Sequence, residues 1–581
     1  MKLYECKNCN ISSETSVCPS CGGRSDLVKN EVYYCPSCNT IEMMPYCSHT
    51  SCKNEAVASD CRPVFPHERA LLEILTDKDG AFMDTSMWNL GGSVYLVDGK
   101  RMRLSYTELS HKYDRDFVIS RLKEREAELS EREESFFYTE PMVNFVKANE
   151  GYLHRLTYEA LSFIKSEASG KNLDEMFVSF SGGKDSTVVS DLVKNAVSEN
   201  VIHIYGDTTL EYPTTARYIH TYIHTYIRTP LLTTSNKEQD FYSLCDKIGP
   251  PSRMLRWCCT VFKTGSITKK IENTFSSKKQ VLSFQGMRRL ESAARDKYER
   301  VSGDSKIGKQ IAVLPILDWS DSDVWLYIVS KRLPFNDAYR QGFSRVGCWC
   351  CPNNSAWSEF LSSIYMADEY DRFRKVLYNF AIKTNKNDIT SYVENGDWKK
   401  RQGGNGIESA KNTFVSYRPC VFDENSFNFT LPHPIDEFLY TLFIPFGIID
   451  SDTYSTSDDE VFILERGTRL PLLKLKGRKG ECDLKVSVLK RTSAFKDLKK
   501  AEQYIKYQIN KFQLCVGCTG CAQVCKHNAI SIHLDDEQNV QYFIDAERCV
   551  GCLDCVKHFP GGCFMDKVLK IRKDSFKAGA V

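Results

Sequence analysis

The stretch SFSGGKDSTVV, Ser179 to Val189, decides the reading of the central part of this chain. An apolar strand-like run, Met176-Phe177-Val178, leads into Ser181-Gly182-Gly183-Lys184-Asp185-Ser186, and a helix-like segment runs from Thr187 to Ala196. Two glycines allow a sharp turn and a close approach to a ligand. The turn sets backbone N–H groups at a helix N-terminus, a position that favours phosphate. Ser181 and Ser186 add hydroxyls, and Lys184 adds a positive charge. The spacing is not that of a Walker A loop, which has four residues between its first glycine and the Gly-Lys pair. The bland alternative is a plain Gly-Gly turn; the strand–loop–helix context favours a phosphate cradle.

Outward from the loop, Val178 to Gly182, Val201 to Asp207 and Val281 to Gly286 read as buried strands separated by helix-length segments. Alternation of that kind over 141–360 predicts an α/β domain with a doubly wound, mostly parallel sheet. Ligands of such sheets sit beyond the carboxyl ends of the strands. With 581 residues, the chain has room for about three to five domains. Four further segments are expected: a cysteine-rich head over 1–66, a small β/helical connector over 67–140, a mixed α/β region over 361–505 and a second cysteine-rich unit over 506–581. Arg121 to Glu134 reads as one exposed, solvated helix of mixed charge, and Ser358 to Lys383 as a helix. A Gly/Asn-rich break follows at Gly403-Gly404-Asn405-Gly406.

Hydrophobic residues make up 42% and charged residues 26%, as in an ordinary globular protein, and the net charge of +2 confines any nucleic-acid surface to a local patch. The basic stretch 485–511 is one candidate, with a solvated helix face as its plainer reading. No apolar run approaches the ~18 residues of a membrane span, and MKLYECKNCN lacks a signal-peptide core. A cytoplasmic location is therefore expected.

The 25 cysteines cluster at ligand spacing, which in a cytosolic chain means metal. Cys6, Cys9, Cys18 and Cys21 form two knuckles suited to tetrahedral zinc, and Cys35, Cys38, Cys47 and Cys52 repeat them, with His49 a bystander. Two Zn²⁺ are expected in these ribbon-like units, which fold around their metal. Cys515, Cys518, Cys521 and Cys525 match the bacterial ferredoxin run; Cys549, Cys552 and Cys555 begin a second copy. There Phe559 replaces the expected fourth cysteine and Cys563 comes late. In two-cluster ferredoxins the fourth cysteine of each run serves the other cluster. Carried over, Cys515, Cys518, Cys521 and Cys563 hold one [4Fe–4S] cluster and Cys549, Cys552, Cys555 and Cys525 the other. Cys258, Cys259, Cys348 and Cys351 suggest a third beside the loop, against a plainer reading as buried thiols. Cys61, Cys245, Cys350, Cys420 and Cys482 read as small buried hydrophobes.

These motifs together resemble the phosphoadenosine-phosphosulfate reductase family, a branch of the PP-loop superfamily with an adenine nucleotide alpha hydrolase-like fold, over roughly 150–360. The carriers are the 181–186 loop; Gly206-Asp207-Thr208-Thr209-Leu210-Glu211-Tyr212-Pro213; Gly286-Met287-Arg288-Arg289 with Glu291, Ser292 and Arg295; and Pro315 to Trp325. The double cysteine and the later Cys-x2-Cys are similar to the cluster ligands of adenylyl-sulfate reductases. The same theme occurs in the PP-loop protein of DNA phosphorothioation systems. The resemblance implies that Ser181, Gly182, Gly183, Lys184, Asp185, Ser186, Asp207, Thr208, Gly286, Arg288 and Arg295 bind an adenine nucleotide, either ATP or an adenylyl-sulfate type. Lys184, Asp185 and Arg288 would act on its reacting phosphate, with Mg²⁺ beside Asp207 where ATP is used. Arg288 suits bidentate anion contact; Arg289 reads as a surface ion pair.

One departure stands out. The family's reductases carry a catalytic cysteine in Glu-Cys-Gly-x-His, and Glu481-Cys482-Asp483 has neither the glycine nor the histidine. Either Cys482 or Cys350 substitutes, or electrons arrive directly from the ferredoxin unit. The leading expectation is sulfonucleotide reduction or related sulfur transfer, with a redox partner as electron donor. The second is ATP-dependent adenylation of a nucleic acid, and the third a non-catalytic redox-sensing subunit.

Overall fold

A computed structural model describes residues 4–6, 9, 11–13, 18–23, 26–27, 31–47, 53–227, 230–292, 295, 297–303, 309–401, 415–492, 497–535 and 539–569. His49, Cys52 and the break at 403–406 lie outside the described residues. The central sheet has six strands, in the order Leu231–Ser235, Ile202–Asp207, Met176–Ser179, Val281–Gln285, Gln310–Val313 and Val301–Ser302. All neighbours are parallel except Val301–Ser302, which runs antiparallel at the edge. Side chains alternate between the faces. Met176, Val178, Leu282 and Phe284 pack among the helices Glu150–Ala168, Lys184–Ala196 and Asp321–Lys331. Phe177, Ile204 and Val281 face the helix Gly265–Thr274. The sheet is thus covered on both sides, as the near-continuous apolar strands require. Strand order reverses between Met176–Ser179 and Val281–Gln285, which makes the loop after the first of these the switch-point crevice.

His203 lies buried in the second of these strands. Its Nδ1 contacts the Val201 carbonyl at 3.0 Å, so this nitrogen carries the proton, and Nε2 accepts from Ser190 Oγ at 2.6 Å. Burial lowers its pKa to about 4. The unfolded chain takes up this proton near pH 6.5, so the neutral histidine's full stability is present above that pH and is lost as pH falls toward 4. The window is worth about 3 kcal/mol. Urea midpoints from pH 7 to 4 should fall more for the parent than for His203→Gln; equal slopes would contradict this.

Strand Arg62–Pro63 joins Met87–Asn89, Val94–Val97 and Lys100–Arg103 in one antiparallel sheet, which therefore begins before residue 67. The Asp98-Gly99 turn has positive φ at both residues, as a tight hairpin demands. The charged stretch expected as one solvated helix is two helices, Arg115–Glu124 and Glu126–Ser135. It is tethered: Leu122 and Leu129 are buried, Arg125 pairs with Glu73 at 2.8 Å and Arg132 with Asp84 at 2.8 Å. Likewise the expected 358–383 helix divides into Ala356–Tyr365 and Ala367–Lys383, because Met366 leaves helical geometry (φ −142°, ψ 53°).

Residues 416–488 form a six-stranded antiparallel sheet, and the helix Leu498–Leu514 runs from its side across the expected 505/506 boundary into the C-terminal unit. The basic stretch is not one cationic face. Lys490 pairs with Glu465, Lys506 with Glu502, and Lys511 is buried. No helix among the described residues is long and apolar enough to cross a membrane.

Candidate active site

The strand Met176–Ser179 delivers the chain to Phe180, whose N–H donates to Ile204 O at 3.0 Å. Gly182 then turns in the left-handed region (φ 71°), and Gly183 precedes the helix Lys184–Ala196. Ser186 pins the turn: its Oγ accepts from Ser181 N at 3.3 Å and donates to Gly183 O at 2.8 Å. Tyr339 Oη accepts the Lys184 N–H at 3.0 Å. Gly286, at the end of the adjacent strand, touches the same helix start. A Cβ there would lie 2.6 Å from the Asp185 carbonyl carbon.

Four charged side chains meet above this turn. Lys184 Nζ lies 3.1 Å from Asp185 Oδ2 and 3.1 Å from Asp321 Oδ1. Arg288 pairs through Nε with Asp185 and through Nη2 with Asp321 at 2.5 Å. Lys184 and Arg288 are only 2% and 4% exposed. Burial opposes both positive charges, but the carboxylates outweigh it and raise both pKa values. Burial also pushes Asp185 up, and Lys184 with Arg288 overcome this and hold its carboxyl below the usual range. The cations expected to bind phosphate are engaged by carboxylates in this structure. Phosphate oxygens entering here compete with Asp185 and Asp321 for the same donors.

Asp321 and its support escaped the sequence reading. Asp321 begins the helix Asp321–Lys331, whose first N–H groups, Asp321 N and Ser322 N, both donate to the Asp60 carboxylate at 2.9 Å. The N-terminal segment thereby caps the helix that carries a member of the quartet. Asp321 falls within the Pro315 to Trp325 segment, but only long-range packing joins it to Asp60 and the loop, so that motif does not announce its role. Arg295 pairs with Glu291, which also accepts from Arg288 N at 3.4 Å, and it lies near enough to Asp185 and Arg288 to feel their charges. Arg289 pairs with Asp318 at 3.1 Å, the ion pair expected of it, although its side chain is only 16% exposed.

Asp207 ends its strand and accepts from Thr209 N at 2.8 Å. Thr208 Oγ1 donates to Glu211 at 2.6 Å and lies 3.5 Å from Cys348 Sγ. Glu211 and Cys348 are also bridged through their backbones. One short segment thus connects the nucleotide side of the crevice to the cysteine side. Cys258 and Cys259 stand at the start of the turn Cys259–Thr264. Cys258 feels the charges of Cys259 and Cys348, and Cys351 those of Cys259, Arg256 and Lys263. The four thiols predicted from sequence therefore share one neighbourhood, and two cations unnoticed in the sequence border it.

The sulfur spacing separates two kinds of site. The ligand atoms of Cys6, Cys9, Cys18 and Cys21 all lie within 4.8 Å of one another, with Cys6 and Cys21 at 3.6 Å. A tetrahedral ion with zinc–sulfur bonds of about 2.3 Å needs sulfurs about 3.8 Å apart, so this set fits one zinc ion. In the second unit Cys35, Cys38 and Cys47 close to the same spacing with Glu42, whose Oε1 is buried without a hydrogen-bond partner. Among the described residues no three thiols of the 258/259/348/351 set, or of the C-terminal sets, close so tightly. A four-iron cluster, larger than one ion, holds its thiolates farther apart.

The C-terminal unit shows an internal repeat. Gly517 and Thr519 (φ 69° and 55°) flank Cys518 as Gly551 and Leu553 (φ 72° and 60°) flank Cys552. A short helix follows each, Gly520–Val524 and Asp554–Lys557, and the strands Ile530–Leu534 and Val540–Ile544 join the halves. Cys563 faces Cys515, Cys518 and Cys521. Cys555 and Cys552 face Cys525 and Cys549. The late position of Cys563 is absorbed by the turn Pro560–Gly562, where Gly562 presses on the Tyr507 backbone too closely for any Cβ.

This unit packs on the central domain at the cysteine side of the crevice. Asn236 Nδ2 donates to Val261 O at 3.1 Å and reaches Thr519 Oγ1 at 3.4 Å. Trp257, Phe262, Cys350, Cys563 and Met565 share one apolar core, against which Cys258, Cys348 and Cys518 pack. Of the five leftover cysteines, Cys61, Cys245 and Cys350 are buried, as expected. Cys420 is half-buried and Cys482 exposed, because both sit at strand ends of the antiparallel sheet rather than within it.

Comparison with known proteins matches residues 175–354 to the phosphoadenosine phosphosulfate reductase domain and residues 514–562 to the 4Fe-4S dicluster domain. An uncharacterized protein of Methanocaldococcus jannaschii is 31% identical over 260 residues, 44% of this chain and 52% of that protein. An adenosine 5′-phosphosulfate reductase of Neisseria meningitidis is 38% identical over 98 residues, 16% of this chain and 36% of that one. Its counterpart in Staphylococcus epidermidis is 25% identical over 221 residues, 37% of this chain and 83% of that one. The chain spans about half the length of the Methanocaldococcus relatives it matches. The loop, the strand order and these matches agree: the chain carries a PP-loop domain of the phosphoadenosine phosphosulfate reductase family, followed by a ferredoxin-type 4Fe-4S dicluster domain.

Proposed function

We propose that this chain reduces a sulfonucleotide, or carries out a closely related sulfur transfer, with electrons passed from its own C-terminal clusters. The observation that carries the reading is the packing of the dicluster unit against the Cys258, Cys259, Cys348 and Cys351 neighbourhood, where Thr208 reaches Cys348 from the end of the strand that pairs with the loop-bearing strand Met176–Ser179. In this reading those four thiols and the two C-terminal sets hold three [4Fe–4S] clusters, which supply single electrons. The N-terminal sets hold two zinc ions, and Glu42 is the carboxylate nearest the second.

The loop, Lys184 and Arg288 bind and orient the phosphate of an adenylyl sulfate, while Asp185 and Asp321 hold the two cations in place until the nucleotide arrives. The bond between sulfur and the bridging oxygen breaks. Sulfur takes two electrons and leaves as sulfite, and AMP keeps the oxygen. Cys350 is buried and Cys482 sits at the end of a strand of the other sheet, which favours direct electron delivery over a thiosulfonate on either residue.

Protein purified without oxygen should contain about twelve iron and two zinc per chain. Given a reductant, it should release sulfite from adenylyl sulfate or its 3′-phosphorylated form. Sulfite from neither substrate would sink the reductase reading, and four iron or fewer would sink the cluster assignment.

A second reading is adenylation of a nucleic acid with ATP. The carboxylate pair Asp185 and Asp321 beside the loop favours it, since two such groups suit Mg²⁺ on a triphosphate. Conversion of ATP to AMP and pyrophosphate on adding DNA or RNA, with no sulfite from either sulfonucleotide, would replace the first reading with this one.

A further inference from the structure

Lys511 is a buried cation with no carboxylate partner among the described ion pairs. It lies in the last turn of the helix Leu498–Leu514, four residues before the first C-terminal cysteine, and is 1% exposed. Its Nζ donates to Cys555 O at 2.7 Å. Its charged surroundings are the thiols of Cys521, Cys555, Cys563 and Cys515. Three of these belong to one cysteine set and Cys555 to the other, so the ammonium stands between the two. Elsewhere the chain balances its buried lysines: Lys184 has Asp185 and Asp321, and Lys399 has Glu359 at 2.8 Å. An ammonium taken out of water without a counter-charge is strongly unfavourable. Its counter-charge must therefore come from the cysteine sulfurs and what they bind. Tyr542 is only 8% exposed and sets its hydroxyl against Cys521, with Cys555 close by, so the same sulfurs gather the buried polar groups of this unit.

We propose that Lys511 is a positioning residue shared by both C-terminal clusters, and that its fixed charge raises their reduction potentials together. A four-iron cluster held by four thiolates is anionic and gains a further negative charge on reduction. A cation fixed between two such sites stabilises the reduced form of each, one of the outer influences that set cluster potentials. A common shift makes both clusters easier to reduce and leaves the gap between them unchanged. The inference rests on the cluster reading above. The plainer role of Lys511 is a cation on a helix C-terminus that bonds a carbonyl, and a lysine's charge can be separated from its hydrogen bond.

The test is redox titration followed by electron paramagnetic resonance on the full-length protein, with iron counted in each sample. Lys511→Gln keeps a donor for Cys555 O and removes the charge; Lys511→Arg keeps the charge. With iron retained, Lys511→Gln should lower both midpoints, changing the reduced-to-oxidised ratio at fixed potential by about tenfold, or 59 mV for one electron. Lys511→Arg should stay at the parental values. A full-iron Lys511→Gln variant with unshifted midpoints overturns the proposal alone. A parent protein with four iron or fewer removes the cluster reading beneath it. If Lys511→Gln loses iron, Lys511→Arg decides: parental iron and midpoints support the fixed charge, and iron loss there too overturns it.

Discussion

Gly286→Ala should weaken nucleotide binding at the Ser181–Ser186 loop about a hundredfold while leaving the iron content intact. Gly286 is not needed for an unusual backbone conformation; its φ is not positive. It is needed for closeness. A Cβ at this position would sit 2.6 Å from the Asp185 carbonyl carbon, 2.7 Å from its oxygen and 2.7 Å from Ser186 N. These are backbone atoms at the first turn of a helix, so no side chain can swing aside. The strand Val281–Gln285 and the helix start must separate, and Arg288, two residues on, moves with the strand away from Asp185 and Asp321. Overpacking of this kind costs about 1–3 kcal/mol. Affinity should fall further, because the loop and Arg288 no longer converge on one phosphate: a hundredfold loss is about 2.7 kcal/mol. Gly303→Ala is the control, since nothing lies within 4 Å of its Cβ position, and it should change stability by less than about 0.5 kcal/mol. Calorimetric titration with adenylyl sulfate checks both. Parental affinity in Gly286→Ala would place the nucleotide elsewhere.

The same region shows what the sequence could and could not carry. The loop was legible because its chemistry is local: an apolar strand, two glycines, a lysine and two serines follow one another within a dozen residues. The cysteine sets were legible for the same reason, since ligand spacing survives without knowledge of the fold. The crossed pairing that puts Cys563 with Cys515, Cys518 and Cys521 in the structure rested on the ferredoxin pattern, and the glycines at 561 and 562 make room for its late position. Asp321, Asp60 and Lys511 were not legible, because an aspartate at a helix start or a lysine in a basic stretch looks like any surface residue. Their roles come from burial and from partners far along the chain. Lys511 was counted within a candidate basic face, yet the helix turns it inward. Arg125 and Met366 split two expected helices because tertiary packing bent segments whose helical pattern continues on both sides. Arg295 matched the family motif, and the structure adds its ion-pair partner Glu291, which the motif alone did not assign.

Gly265→Ala should slow electron flow from the C-terminal unit without touching any cysteine or any residue of the phosphate loop. Gly265 opens the helix Gly265–Thr274 of the central domain, where the helix Gly520–Val524 of the dicluster unit crosses it. A Cβ there would meet Gln523 Cβ at 2.5 Å, Thr260 O at 2.8 Å and Gln523 O at 3.1 Å. None of these atoms lies at the far end of a flexible chain, so the relief is a shift of one helix against the other. That shift falls beside the Thr519 contact to Asn236 and the apolar core shared by Cys350 and Cys563. If the strain of about 1–3 kcal/mol is borne by the docking, the ratio of docked to open forms falls by roughly 5- to 150-fold. The signature is selective. Sulfite formation driven through the C-terminal clusters should drop by up to that factor, whereas nucleotide affinity and iron content stay at parental values. Reduction of the Cys258, Cys259, Cys348 and Cys351 site by a small viologen, which needs no docked domain, should be unchanged. Equal slowing by both routes would mean that the alanine damages the inner site itself. An unchanged rate by both would mean that electrons do not cross where Gly265 meets Gln523. The second result would detach the dicluster unit from the chemistry proposed for the crevice, because that chemistry depends on this contact being the path.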